Sequence, residues 1–165
     1  MRAPDRLEAL AALIERALVD ADAIVAQAAE GAARLAQSPA DALVAYGVGA
    51  LLHAFYTELE KLFQRLAREL DGFEPRGETW HTDLLDEMSL DLPAVRPPVL
   101  GEALKRRLHE YLRFRHLFRN LYVLDLDGDR MARLLDALPA VWSDTRSALL
   151  AFADALRAIG GGLRG

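Results

Sequence analysis

The sequence predicts an all-α protein: an up-and-down bundle of four long helices with a short helical insert between the second and third, forming a single domain over residues 1–165. Three observations predict it. Apolar residues recur at three- and four-residue steps through every long stretch, no stretch alternates apolar with polar residues as a half-buried strand does, and Pro- or Gly-containing turns separate the periodic stretches. A chain of 165 residues is also long enough to bury a core without disulfide or metal staples.

The first helix opens near Pro4, which a first turn tolerates, and carries Leu7, Leu10, Leu13, Ile14, Leu18, Ala21 and Val25 on to about Leu35. Its many alanines favour helix and allow close approach, which marks it as a packing or partner-contacting element. Ser38-Pro39 reads as an N-cap and first helical proline, with Asp41 early in the turn. A second helix then carries Leu43, Val48, Leu51, Leu52, Phe55, Leu59, Leu62, Phe63, Leu66 and Leu70 to a stop at Asp71-Gly72, its first half weakened by Gly47 and Gly49. After the loop Glu74-Pro75-Arg76-Gly77, residues Trp80, Leu84, Leu85 and Met88 mark the insert, and three prolines keep Ser89 to Pro98 extended. The third long helix starts near Leu100, is anchored by Leu104, Leu108, Tyr111, Leu112, Phe114 and Phe118, and breaks near Val123. Asp125-Leu126-Asp127-Gly128-Asp129 lacks the glutamate that would complete a calcium loop and reads as an N-capping turn. The last helical region spans about Gly128 to Ile159, interrupted near Pro139, with a frayed tail over about 160–165.

Composition narrows the function classes. The chain has no cysteine, which excludes a disulfide framework and thiolate metal sites and suits a reducing cytoplasm. Acids stand near the N-terminus where a signal peptide has its apolar region, and no apolar run is read as approaching the roughly 20 residues of a membrane span, so the expected location is cytoplasmic, away from membranes. The net charge of −5 disfavours nonspecific coating of nucleic acid, but the charge is uneven. Gly101 to Tyr122 holds six Lys or Arg against two acids, or +4, leaving 14 against 23, or −9, elsewhere. One basic helix on an acidic body suits an anionic ligand bound at one place.

Within that helix, Arg113 to Tyr122 gathers three arginines, a histidine, an asparagine and a tyrosine into ten residues. At about 100° per residue, Arg115, Arg119 and Tyr122 fall within about 60° of one another, with His116 and Asn120 further round. The helix therefore offers guanidinium groups beside a phenol. A guanidinium matches phosphate because its planar fork donates two parallel hydrogen bonds and keeps its charge.

Other chemistries find little support. Of the four histidines His53, His81, His109 and His116, the last two share a face but lack a helical carboxylate at metal-ligand spacing, and no metal or other cofactor is expected. There is no Gly-rich phosphate loop and no Gly-x-Ser-x-Gly elbow. Glu60 is a possible supporting acid, although an exposed partner to Lys61 or Gln64 is the commoner outcome, and Tyr46 and Tyr56 read as core.

The spacing Arg115-x4-Asn120-x-Tyr122 resembles the R-x4-H-x-Y signature of the HepT-like ribonucleases, toxins of the HEPN superfamily of helical bundles. More of the chain agrees: Leu52 to Phe63 is similar to the family's second-helix block, Trp80-His81 with Leu84, Leu85 and Met88 to its insert, and Val95-Arg96-Pro97 to the approach to the motif helix. The resemblance covers about Ala45 to Arg157. It implies an HEPN-like fold and a metal-independent RNA endonuclease with its site at a homodimer cleft. It also implies a type VII toxin–antitoxin pair, in which an MNT-type nucleotidyltransferase silences the toxin by moving AMP to the motif tyrosine. Carried onto this chain, Arg115 would hold the scissile phosphate, His116 would occupy the polar position after it, Tyr122 would accept AMP, and Arg113 and Arg119 would bind RNA.

The departure is Asn120, which stands where the family has histidine. An amide donates and accepts hydrogen bonds but does not exchange a proton near neutral pH, and metal-free RNA cleavage needs a base and an acid. Three explanations stay open: a residue changed to disarm a toxin, a natural loss of catalysis, or replacement by His116. An impaired toxin is the first expectation, and a catalytically inactive helical partner or substrate subunit of a nucleotidyltransferase is the alternative.

Overall fold

The structure, a computed structural model, describes residues 3–120 and 126–163. It contains five helices: α1 (Ala3–Gln37), α2 (Ala42–Leu66), α3 (Trp80–Glu87), α4 (Glu102–Asn120) and α5 (Gly128–Gly162). No strand occurs among the described residues, and the all-α bundle with a short insert is the observed architecture. The four long helices alternate in direction. Arg6 at the start of α1 pairs with Glu69 beyond α2, Gly160 near the end of α5 packs on Pro4, and Phe118 near the end of α4 lies over Gly49 near the start of α2. Buried Leu10, Ile14 and Leu18 of α1, Leu52, Phe55 and Phe63 of α2, Leu108 and Leu112 of α4, and Leu149, Phe152 and Leu156 of α5 make one continuous core.

Several boundaries differ from the sequence reading, each for a local reason. The cap of α2 is Asp41 rather than Ser38: its Oδ1 accepts from the backbone N–H groups of Leu43 at 3.0 Å and Val44 at 3.2 Å, satisfying two donors that a helix start leaves free. Ser38 and Pro39 belong to the preceding turn. At the other end the chain continues as one π-helical turn, Ala67–Asp71, and stops at Gly72, whose φ of +64° is the left-handed cap that glycine adopts without strain. Asp127 caps α5 as expected, accepting from Arg130 N–H at 3.0 Å. Pro139 does not interrupt α5: it lies on the exposed face, while Leu138, Val141 and Trp142 stay buried on either side. The expected frayed tail is helical through Gly162, because buried Gly160 packs against Pro4 and Leu7.

Two glycines thought to weaken α2 divide in their effect. A Cβ at Gly49 would come within 2.7 Å of the Phe118 ring, so the missing side chain is what lets α4 approach, whereas Gly47 faces open space. By length and composition the helical run Ala42–Asp71 is long and apolar enough to cross a membrane, its most apolar window averaging a hydropathy of 1.3, contrary to the sequence reading. Its apolar side chains Leu52, Phe55 and Phe63 instead meet neighbouring helices, and Glu60 stands buried in its second half.

The link between α3 and α4 is fixed by one arginine. Arg96, 2% exposed, makes a bidentate pair with Asp71 (Nε to Oδ1 2.8 Å, Nη2 to Oδ2 2.7 Å). Its remaining N–H groups donate to the backbone carbonyls of Leu90, Pro97 and Glu87. The end of α2, the end of α3 and the proline segment are thereby joined through a single side chain. Arg96→Ala leaves the Asp71 carboxylate buried without its cation and is expected to destabilise the fold by about 3–5 kcal/mol, read as a lowered urea midpoint at unchanged m value.

Candidate functional site

The site forms where α4 crosses α2 and α3. Arg115 turns inward from α4 and is 7% exposed. Its Nη2 meets Glu60 Oε1 at 2.9 Å, its Nε donates to Thr57 Oγ1 at 3.2 Å, and its Nη1 lies 3.3 Å from His81 Nδ1. Glu60 is itself 4% exposed, and its second oxygen, Oε2, lies 2.5 Å from His81 Nδ1. Thr57 donates to His53 O at 2.8 Å, leaving its oxygen oriented to receive the guanidinium. The commoner expectation for Glu60, an exposed partner to Lys61 or Gln64, is overturned. Lys61 pairs with Glu58 instead, and Glu60 faces the α3–α4 side because its position on the helix is one of the buried ones between Leu59 and Phe63.

The next turn of α4 faces outward. His116, Arg119 and Asn120, spaced as neighbours on one helix face, line a cavity of about 300 Å³ together with Gly77, Glu78, Trp80 and His81. The His81 and His116 rings meet edge to face with centroids 4.7 Å apart, and the Trp80 ring lies against His81 with centroids 3.5 Å apart and planes tilted by 30°. Asn120 donates its amide N–H to His116 O at 3.0 Å, a bond within its own helix.

The electrostatics follow from this crowding. His116 is held below the usual histidine range by burial, then by the charges on His81 and Arg115. His53, ring against Phe118, is lowered by burial and by Arg115 and Arg119. Burial and the Glu60 charge push the Tyr56 phenol up, so it stays protonated beside the pair. Among the described residues no three His, Asp or Glu side chains converge as a metal site would require.

The anticipated residues are thus only partly brought together. His116, Arg119 and Asn120 share the cavity, and Arg115 and Glu60 form the buried pair behind it. Arg113 lies apart, pairing with Glu110 at 3.7 Å and lining a different groove between α4 and α5 with Arg107, Arg130 and Arg133. Tyr122 lies outside the described residues. Sequence reasoning passed over Thr57 and did not give His81 a role. The insert block containing Trp80-His81 was the available signal, but a Glu–His contact across 21 residues has no helical period to reveal it.

A family model described as HepT-like protein matches residues 47–156, two thirds of the chain. The chain belongs to the HepT-like family. The matched span contains Thr57, Glu60, His81, Arg115, His116 and Asn120, and the HEPN-type bundle is the fold observed. No curated protein and no solved structure matches this HepT-like chain.

Two outcomes test the site's physics. Glu60→Ala strands the Arg115 guanidinium in the core and is expected to cost about 3–5 kcal/mol by chemical denaturation, more than Glu58→Ala on the exposed face of the same helix. With the folded-state pKa of His116 and His53 depressed, the unfolded chain binds protons first. Their contribution to stability is therefore complete above the unfolded histidine pKa of about 6.5 and declines as pH falls from there to the folded values. NMR titration of the imidazole protons is expected to give both residues midpoints below that reference.

Proposed function

We propose that this HepT-like protein is the toxin component of a toxin–antitoxin pair, a metal-independent RNA endonuclease acting at the cavity between α3 and the end of α4. One observation carries the reading: two imidazoles in ring contact stand beside an exposed guanidinium on the wall of one cavity, backed by a buried Glu60–Arg115 pair. Arg119 is the group that holds the scissile phosphate, because Arg115 is already engaged by Glu60 and Thr57. Arg115 supports it by adding positive potential behind the cavity. His116, kept neutral by its surroundings, supplies proton exchange that the amide of Asn120 cannot. The activity is impaired relative to a site with histidine at that position. Homodimerisation, an MNT-type nucleotidyltransferase antitoxin and AMP transfer to Tyr122 rest on the family resemblance.

The commitment of the Asn120 amide to His116 O favours a second reading, a catalytically silent helical partner of the nucleotidyltransferase. Cleavage of single-stranded RNA by the purified chain separates the two. The toxin reading expects cleavage that falls by about 10²-fold in Arg119→Ala and rises at least about tenfold in Asn120→His. An inert Asn120→His chain that still binds the transferase supports the silent partner. After coexpression with that transferase, intact mass is expected to rise by one AMP per chain, and to stay unchanged in Tyr122→Phe.

A further inference from the structure

His81 is the residue that neither the motif nor the composition singles out, and it has the most specific surroundings of the four histidines. Its Nδ1 is claimed by two groups, Glu60 Oε2 at 2.5 Å and Arg115 Nη1 at 3.3 Å. A guanidinium nitrogen only donates, so both contacts cannot be hydrogen bonds to the same nitrogen. The shorter, charge-assisted one decides: Nδ1 carries a hydrogen and donates it to Glu60. Arg115 keeps Glu60 Oε1 on its Nη2 and Thr57 Oγ1 on its Nε, while its Nη1 lies beside the protonated ring nitrogen. With Nδ1 held by Glu60, the other ring nitrogen, Nε2, is the one left for the cavity that His81 lines.

The two touching imidazoles differ in their neighbours. His81 has a carboxylate on its inner nitrogen. Among the described residues His116 has no carboxylate within hydrogen-bond reach; the charges of His81, Arg115 and Arg119 bear on it, with Glu60 opposing them. Of the two rings at 4.7 Å, the one placed to donate a proton is the ring whose inner nitrogen a carboxylate holds.

We infer that His81 is the general acid of this site, with Glu60 as its positioning residue and His116 as the general base, an assignment that rests on the ribonuclease reading above. The substrate class is an RNA phosphodiester with a free 2′-hydroxyl. His116 takes the 2′-hydroxyl proton as the 2′-oxygen bonds to phosphorus. The P–O5′ bond breaks, and the 5′-oxygen leaves with the proton from His81 Nε2, giving a 2′,3′-cyclic phosphate and a 5′-hydroxyl. The pair ends with its protons exchanged and returns to its starting state through solvent.

An acid is needed only when the leaving oxygen is a poor leaving group. The test compares a uridine dinucleotide with uridine 3′-(4-nitrophenyl phosphate), whose phenolate leaves unprotonated. His81→Ala is expected to slow the dinucleotide by about 10²-fold or more and the nitrophenyl ester by less than about tenfold, while His116→Ala slows both alike. His81→Gln, checked for native helicity by circular dichroism, is expected to repeat the pattern and guards against a folding defect. Equal losses on both substrates in folded His81 variants, or none, overturn the acid assignment and leave the ribonuclease reading standing. A wild-type chain that cleaves neither substrate overturns the ribonuclease reading and the assignment together. Independently of turnover, ¹⁵N NMR is expected to show His81 Nδ1 carrying a hydrogen bonded to Glu60, and an unprotonated Nδ1 overturns the assignment.

Discussion

A carboxylate buried in the middle of an apolar helix is costly unless its charge is met at short range, and Glu60 is met twice. One oxygen takes the Arg115 guanidinium from α4, the other the His81 ring from α3. Three elements are tied at one point by groups that have no water to fall back on. The energetic content of such a cluster is asymmetric: the intact pair offers little net stability over an apolar replacement, but either half alone is strongly unfavourable. Its effect is therefore to fix the register of α3 and α4 against α2 more than to add stability.

That fixation determines what faces the solvent. Because Arg115 is drawn inward, the residues one turn further along α4, His116, Arg119 and Asn120, become the cavity wall. Burial depresses His116 and His53, the Arg115 guanidinium adds to this through its charge, and the Glu60 carboxylate opposes it. The short helix α3 then completes the wall with Trp80 and His81. Its position depends on the clamp of Arg96, which gathers Asp71, the end of α3 and the proline segment.

The two buried arginines play parallel parts. Each uses its fork on a carboxylate from the α2 side and spends its remaining donors on nearby oxygen, backbone carbonyls for Arg96 and a threonine hydroxyl for Arg115. Arginine suits both places because its charge survives burial and its geometry is planar and divergent. The rest of the bundle is held by apolar packing of α1 along α2 and α5, with exposed ion pairs such as Arg157 to Glu15 adding little.

The sequence by itself determined what depends on neighbours along the chain. Helical periodicity is a local property, so four long helices, the insert and the caps at Asp127 and Gly72 were legible, as was the basic concentration on α4. The family resemblance was legible too, because its residues lie at fixed spacing within helices. Where Pro139 and Gly160 were read as breaks, core contacts made elsewhere in the chain outweighed their local preference. Only the tertiary structure decided which way each charged side chain of α4 points. Angular spacing grouped Arg115 with Arg119, but burial beside Glu60 divides them, one into the core and one onto the cavity. The Glu60–His81–His116 arrangement joins three segments separated by loops, and no period or spacing relates residues whose proximity is set by how helices cross.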